Sequence, residues 1–247
     1  MKRLYITCIS ISTAIMLLLP IWSGCDEGPN DDWKRITGSS ESPYLFSGII
    51  TPTKIGIVDT RIKLKSPYGG ITIELYGPYY HQHVSTEMDA KFKELAFQLG
   101  DIPSGKPYYH IGPADHVTSS ADITGLKVKA LSNYNDTYPE GSILTDIILA
   151  SYSSFDSVIL RASSPEIFGS HCFRTVKDSK VKDEIFPIKV PALLRLMHDL
   201  NHRTNASAEF MRLNFKEKPN TPEQTLEVTL NLSDGTQLKD TAVVSIN

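Results

Sequence analysis

Cysteine is nearly missing from this chain. Its 247 residues carry three, Cys8 and Cys25 near the start and Cys172 far from both. Cys8 lies inside an apolar leader and Cys25 at its close, so the rest of the chain holds one thiol and no intramolecular disulfide. Its stability must then come from a packed core. Cys172 does follow His171, but neighbours on a strand point to opposite faces, which denies that histidine the role of base and leaves a structural thiol. Excess positive charge is missing too. With 25 basic against 28 acidic residues the net charge is −3, far from the concentrated basic surface that nucleic acid demands. Catalytic signatures are also absent. There is no Gly-x-Ser-x-Gly elbow, and Gly69-Gly70 lacks the Lys-Ser/Thr of a phosphate loop. No His-Glu-x-x-His, cysteine pair or calcium-loop spacing occurs. Nothing in the sequence pairs two carboxylates across a cleft, so no glycosidase follows. No internal repeat or solenoid period is present. The expectation is a protein without catalytic residues, resident metal or cofactor.

What is there begins with an address. Lys2 and Arg3 precede an uncharged stretch from Leu4 to Ile21, whose centre is Ala14-Ile15-Met16-Leu17-Leu18-Leu19 and whose end is marked by the small residues Ser23 and Gly24. Residues 1–24 therefore read as a signal peptide. The stretch approaches the ~18 residues of a membrane span, but Ser10, Ser12, Thr13 and Pro20 weaken it as a permanent one. An ordinary cleaved leader and an uncleaved anchor are the alternatives. Leu19-Pro20-Ile21-Trp22-Ser23-Gly24-Cys25 resembles a bacterial lipobox, with Trp22 standing where that consensus prefers Leu. The resemblance implies cleavage before Cys25 and lipidation of Cys25, which would hold the protein to a membrane. Without the leader the chain has 23 basic and 28 acidic residues, a net charge of −5.

Residues 25–43 read as an acidic flexible tether. Asp26-Glu27-Gly28-Pro29-Asn30-Asp31-Asp32 is short of apolar groups and stays solvated, and Gly38-Ser39-Ser40-Glu41-Ser42-Pro43 closes the segment. The acidic run resembles the export signal of Bacteroidetes-type lipoproteins. It implies an outer-membrane protein facing the cell surface, with the periplasmic face as the alternative; in enterobacteria, Asp directly after the cysteine favours the inner membrane instead.

Residues 44–247 are expected to form one mainly β domain, an antiparallel immunoglobulin-like β-sandwich with one short helix. No Cys–Trp–Cys arrangement supports an antibody-type domain. Strands are expected over Lys54–Lys65, Ile71–Tyr76 after the turn Pro67-Tyr68-Gly69-Gly70, Asp122–Leu131 and Ser157–Ala162. Leu95, Phe97 and Leu99 alternate, so Phe92–Leu99 is read as a strand, although Met88, Phe92 and Leu95 also suit a helix. Leu226, Val228, Leu230 and Leu232 alternate strictly, and Asp234-Gly235 turns the chain into Leu238–Ile246, a strong hairpin signal. With Glu209–Lys216 before them these strands are expected to form a three-stranded meander. Pro191 opens the one expected helix, Ala192–Asn201, where Leu193, Leu196, Met197 and Leu200 recur at helical spacing.

The candidate functional residues lie at Tyr79-Tyr80-His81-Gln82-His83. On a strand His81 and His83 share a face and could share a metal, with His110, Asp115 and His116 as further ligands. His198 and His202, at i and i+4, read as a solvated helix face. Tyr79, Tyr80, Tyr108 and Tyr109 lie near Gly-Pro turns, where exposed rings can stack on sugars or anchor a protein partner. The layout as a whole resembles small uncharacterised lipoproteins of Bacteroidetes, known only as domains of unknown function. The features that carry this are the lipobox, the acidic tether, the stretch Asn133-Tyr134-Asn135-Asp136-Thr137-Tyr138-Pro139-Glu140-Gly141-Ser142 and the final hairpin with Ser233-Asp234-Gly235-Thr236. The resemblance implies location and class, not mechanism. Asp156-Ser157-Val158 and Asp240-Thr241-Ala242 also resemble O-glycosylation sites of those bacteria.

Three readings follow. The leading one is a non-enzymatic, lipid-anchored binding or accessory module whose partners are the membrane and an envelope protein or glycan. The second is a metal-dependent or carbohydrate-active enzyme using the His81/His83 region. The third is a structural, adhesin-like envelope subunit assembling through sheet edges.

Overall fold

A computed structural model describes residues 40–59, 69–82, 85–103, 108–110, 116–155, 174–181, 185–193, 195–197 and 205–246. In chain order the elements are β1 (Ser40–Ser42), β2 (Gly48–Ile50), β3 (Lys54–Asp59), β4 (Gly70–His81), α1 (Thr86–Gln98), β5 (Tyr108–His110), β6 (Val117–Ser119) and β7 (Ile123–Ala130). A 3-10 turn, Thr145–Ile147, leads into β8 (Ile148–Ser154), β9 (Arg174–Lys180), β10 (Pro191–Leu193), β11 (Arg195–Met197), β12 (Asn205–Phe215), β13 (Glu223–Leu232) and β14 (Gln237–Ser245). The chain is mainly β with one α-helix among the described residues, as its β-branched and aromatic runs led us to expect.

The sheets are arranged differently from the two open, facing layers of a sandwich. The long strands β4 and β12 pair antiparallel, with Ile71 opposite Leu213, Ile73 opposite Met211 and Leu75 opposite Ala208. β2 continues from the end of β4, runs parallel to β6, and β6 pairs β10, which pairs β8. β8 then returns to β12, with Tyr152 opposite Met211 and Ile148 opposite Phe215. Six strands, β12–β4–β2–β6–β10–β8, thus close into a barrel, to which β3, β9 and β11 add at the margins. β12 closes the ring along its other edge, where pairing with β11 ends at Glu209 and pairing with β8 starts at Met211, level with a register shift in its ladder with β4.

A three-stranded sheet, β14–β13–β7, lies against this barrel. Asp234-Gly235 joins β13 to β14 as expected, with Gly235 at φ 86°. The third strand is a correction: β7 pairs β13, while β12, expected in a meander with the hairpin, belongs to the barrel. One buried cluster joins the two bodies, bringing Ile55, Ile73 and Leu213 together with Val128, Val228 and Leu230. Each such aliphatic side chain contributes roughly 1.5–3 kcal/mol on burial, which outweighs a surface pair such as Lys239–Glu227, worth roughly 0–1 kcal/mol. Asp240 adds a polar link, its Oδ2 accepting from Ile57 N of β3 at 3.2 Å.

Two local expectations are overturned. Phe92–Leu99 belongs to a helix, not a strand. Phe92, Leu95 and Ala96 form its buried stripe, while Phe97, which alternation would have hidden, is 71 % exposed. The expected helix over 192–201 is instead β10 and β11 as far as it is described, with Leu193 and Ala192 on opposite faces in two separate clusters. Its apolar spacing suits a helix in isolation, but the barrel offers β6, β8 and β12 as backbone partners, and pairing wins. Ser157–Ala162, residues 60–65 and residues 198–201 lie outside the described residues.

Close approach of chain to chain fixes the geometry near the end of β4. A Cβ on Gly77 would stand 1.9 Å from the carbonyl oxygen of Thr51, a backbone atom with nowhere to go. Gly125 on β7 meets only the side-chain amide of Asn231, at 2.9 Å. Gly77→Ala is therefore expected to lower unfolding stability by about 2–3 kcal/mol. Gly125→Ala should leave stability unchanged or raise it by up to ~1 kcal/mol, because a strand glycine is costly in the unfolded chain. Urea unfolding midpoints of the two variants check the contrast.

Candidate functional site

Pro78, Tyr79 and Tyr80, near the end of β4, line one side of a cleft. Strand alternation sends Tyr79 into the main core, 5 % exposed, and Tyr80 to the opposite face against a second cluster. Gly48 makes room for Tyr79, since a Cβ there would lie 2.3 Å from its ring. Ser85 then starts α1 by accepting from Met88 N at 3.2 Å, and Glu87 and Asp89 occupy the first turn, where the helix dipole favours negative charge. The buried stripe of α1 docks on Tyr44, Leu45, Phe46 and Ile49, and Tyr44 meets Phe92 edge-on at 5.4 Å and 88°.

Another side of the helix faces the strand end. Glu87, Ala90, Lys91 and Glu94 recur at i, i+3, i+4 and i+7, and together with Met88 they line a cleft of about 630 Å³ opposite Pro78, Tyr79 and Tyr80. This volume lies in the range of small-ligand sites. Its floor is apolar and aromatic, and its rim carries both signs of charge. Lys91 Nζ sits 2.9 Å from Glu94 Oε1, both partly exposed. Burial pushes the Tyr79 phenol up, so it stays a neutral hydroxyl.

Asp101 follows the helix and is 2 % exposed. Its Oδ1 accepts from Leu45 N and its Oδ2 from Phe46 N, each at 2.9 Å, while its own amide donates to Ala96 O at 2.9 Å. Burial pushes the carboxyl up to about 6, against the pull of the two amides. A raised acid pKa means that the folded protein holds the proton more tightly than the unfolded chain. The stabilisation this brings is fully present below about pH 4 and is lost as pH rises through about 6.

The other residues singled out in the sequence are dispersed. His81 stacks on Tyr79 at 5.1 Å, and its Nδ1 lies 3.1 Å from Gln82 O. The described part of β4 ends at His81, and Gln82 stands in a turn. His116 meets Phe155 edge-on at 6.1 Å. Tyr108, Tyr109 and His110 form β5, paired with β1 at the end of the expected tether. His83, Asp115, His198, His202, Cys25, Cys172 and Asp156-Ser157-Val158 lie outside the described residues. Among the described residues no three His, Cys, Asp or Glu side chains come close enough to hold a metal ion. Thr241 is exposed on β14, with the neighbouring Asp240 engaged by β3. The stretch Asn133–Ser142 serves the fold: Tyr134 is fully buried and donates to Glu217 O at 2.7 Å, and Asn135 Oδ1 accepts from the amides of Thr137 and Tyr138.

Sequence reasoning missed the helix wall of the cleft, Glu87, Met88, Lys91 and Glu94, because it took Phe92–Leu99 for a strand. The available signal was Ser85 ahead of two early acidic residues. It also missed Glu74 and Glu209, buried carboxylates directly opposite each other on β4 and β12. Glu74 accepts from the Tyr76 hydroxyl at 2.6 Å; burial, and then this bond, push that phenol up to about 12, and Glu209 pairs with Arg212. Both are held by neighbours and stand outside the cleft.

Comparison with protein-family models, with curated proteins and with solved structures finds no match to this chain, so its function is argued from its own geometry. Because Ser85 starts the wall of the cleft, Ser85→Ala is expected to cost ~1 kcal/mol of stability. It should also raise amide hydrogen exchange in the first turn of α1 while leaving β13 and β14 unchanged.

Proposed function

We propose that the protein is a lipid-anchored, non-enzymatic binding module of the cell envelope that takes a saccharide in the cleft between β4 and α1. The observation that carries this is the make-up of the cleft, where Tyr80 and Pro78 face a helix wall bearing Glu87, Lys91 and Glu94. A pyranose ring has an apolar C–H face that stacks on an aromatic platform. Its hydroxyls both donate and accept, which suits a rim of carboxylates and an ammonium better than a ligand of one charge would. A protein partner needs about 800 Å² on each side, more than this eight-residue cleft offers by itself.

The anchor is the lipid on Cys25, with the acidic tether spacing the domain from the outer membrane, at the cell surface or else on the periplasmic face. Among the described residues no helix is long and apolar enough to cross a membrane. The enzyme reading gains nothing from His81, which is engaged by Tyr79 and Gln82. The adhesin reading gains little from β9, a marginal strand that carries Lys177, Asp178 and Lys180. Where β7–β13–β14 faces the barrel the packing is sandwich-like, and we keep the sandwich reading for that face alone.

Titration with maltohexaose, cellohexaose and chitohexaose tests the saccharide. At least one should bind, and Tyr80→Ala and Glu87→Ala should each weaken it about tenfold, about 1.4 kcal/mol. Three blank titrations, or two variants that bind as well as the parent, reject it. Cys25→Ala should move the protein from the membrane to the soluble fraction; unchanged fractionation removes the anchor.

A further inference from the structure

The charges on the helix wall of the cleft do not balance. Lys91 and Glu94 answer each other: Glu94 Oε1 accepts from Lys91 Nζ at 2.9 Å and from Gln98 Nε2 at 3.3 Å. Lys93 and Asp89, the other ion pair of the helix, are likewise closed at 2.6 Å. Glu87 is left over. Its carboxylate is exposed and lines the cleft, and among the described residues no basic side chain pairs with it.

We propose that the cleft selects an amino sugar, a saccharide unit with a free protonated amine on its ring, and that Glu87 is the group that recognises the amine. The inference rests on the saccharide reading of the cleft and narrows it to one chemical class.

A pyranose stacked on Tyr80 by its C–H face sends its equatorial substituents outward from the ring edge, toward the helix wall. Most of these are neutral hydroxyls, and the Lys91–Glu94 pair, neutral as a whole, serves them as donor and acceptor. The remaining carboxylate of Glu87 only accepts. An ammonium brings it three donors and the opposite charge, where a hydroxyl brings one donor and none. The Tyr80 ring favours the same ligand, since an aromatic face attracts a nearby cation. Two effects hold the gain to a modest size. Glu87 lies in the first turn of α1, where the helix dipole already stabilises it without a ligand, and its exposure leaves the pair screened by water. Acetylation of the amine removes the charge and leaves a single donor, so an acetamido group loses the advantage.

Three β-1,4-linked hexaoses that differ only at carbon 2 test this by titration: hexaglucosamine with an ammonium there, cellohexaose with a hydroxyl, chitohexaose with an acetamido group. In low salt at mildly acid pH, hexaglucosamine should bind about fivefold more tightly than cellohexaose, and chitohexaose no more tightly than cellohexaose. The margin should shrink in about 0.5 M salt. Glu87→Gln keeps the shape and removes the charge; it should bring hexaglucosamine down to the affinity of cellohexaose and leave cellohexaose within about twofold of its parent value. Glu223→Gln, an exposed carboxylate on β13, should leave the margin intact and so separates recognition at the cleft from a general attraction of a polycation to an acidic protein. Equal binding of hexaglucosamine and cellohexaose, or a margin that survives in Glu87→Gln, overturns the amino sugar and leaves the saccharide reading standing. Blank titrations with all three sugars overturn both.

Discussion

β12 is hydrogen-bonded along both edges, and the rest of the domain depends on that. Its partner on one side is β4 over almost its whole length, with a register shift between Glu209 and Met211; on the other, β11 gives way to β8 at the same level. Without this change of partner the strands would form an open sheet with two margins. With it, β4, β2, β6, β10 and β8 return to where they began, and the short strands β2, β6 and β10 gain neighbours on both sides. A three-residue strand has little stability of its own; closure supplies what its length cannot.

Closure also fixes which side of β4 each residue occupies, and so decides what its aromatic end can do. Tyr79 and His81 share a face and stack against each other over Gly48, while Tyr80, between them, is delivered to the cleft. One of two adjacent tyrosines becomes core and the other is available to a ligand. The same alternation puts Glu74 opposite Glu209, where Tyr76 and Arg212 are needed to make two neighbouring buried carboxylates tolerable. Polar character on this sheet is therefore as much a matter of internal satisfaction as of function.

Legibility in the sequence followed how local the deciding interaction was. The hairpin at Asp234-Gly235 was legible because turn and alternation lie within twenty residues and agree. β7 was legible as a strand, but its place beside β13 depends on pairing residues as far apart as Ile123 and Leu232. The apolar spacing of Leu193, Leu196 and Met197 describes a helix well, and only the waiting edges of β6, β8 and β12 make it two strands. For α1 the local signals conflicted. Alternation of Leu95, Phe97 and Leu99 suggested a strand, whereas the cap at Ser85 and the buried stripe prevailed, leaving Phe97 in solvent. Half of the cleft, Tyr79 and Tyr80, was therefore visible in advance, and the half supplied by α1 was not.

The carboxylate of Asp240, set against the backbone amide of Ile57, has a bearing on how many copies can coexist. An outer strand with a vacant amide invites a neighbouring molecule to add its own strand, and the invitation grows with crowding. Were the proposed lipid anchor to hold copies in one membrane plane, they would meet far more often than the same number in free solution. A side-chain acceptor already seated on β3 fills that amide from within, and its negative charge repels the next carboxylate to approach. At Ile57, at least, that strand has no free amide to offer a second copy.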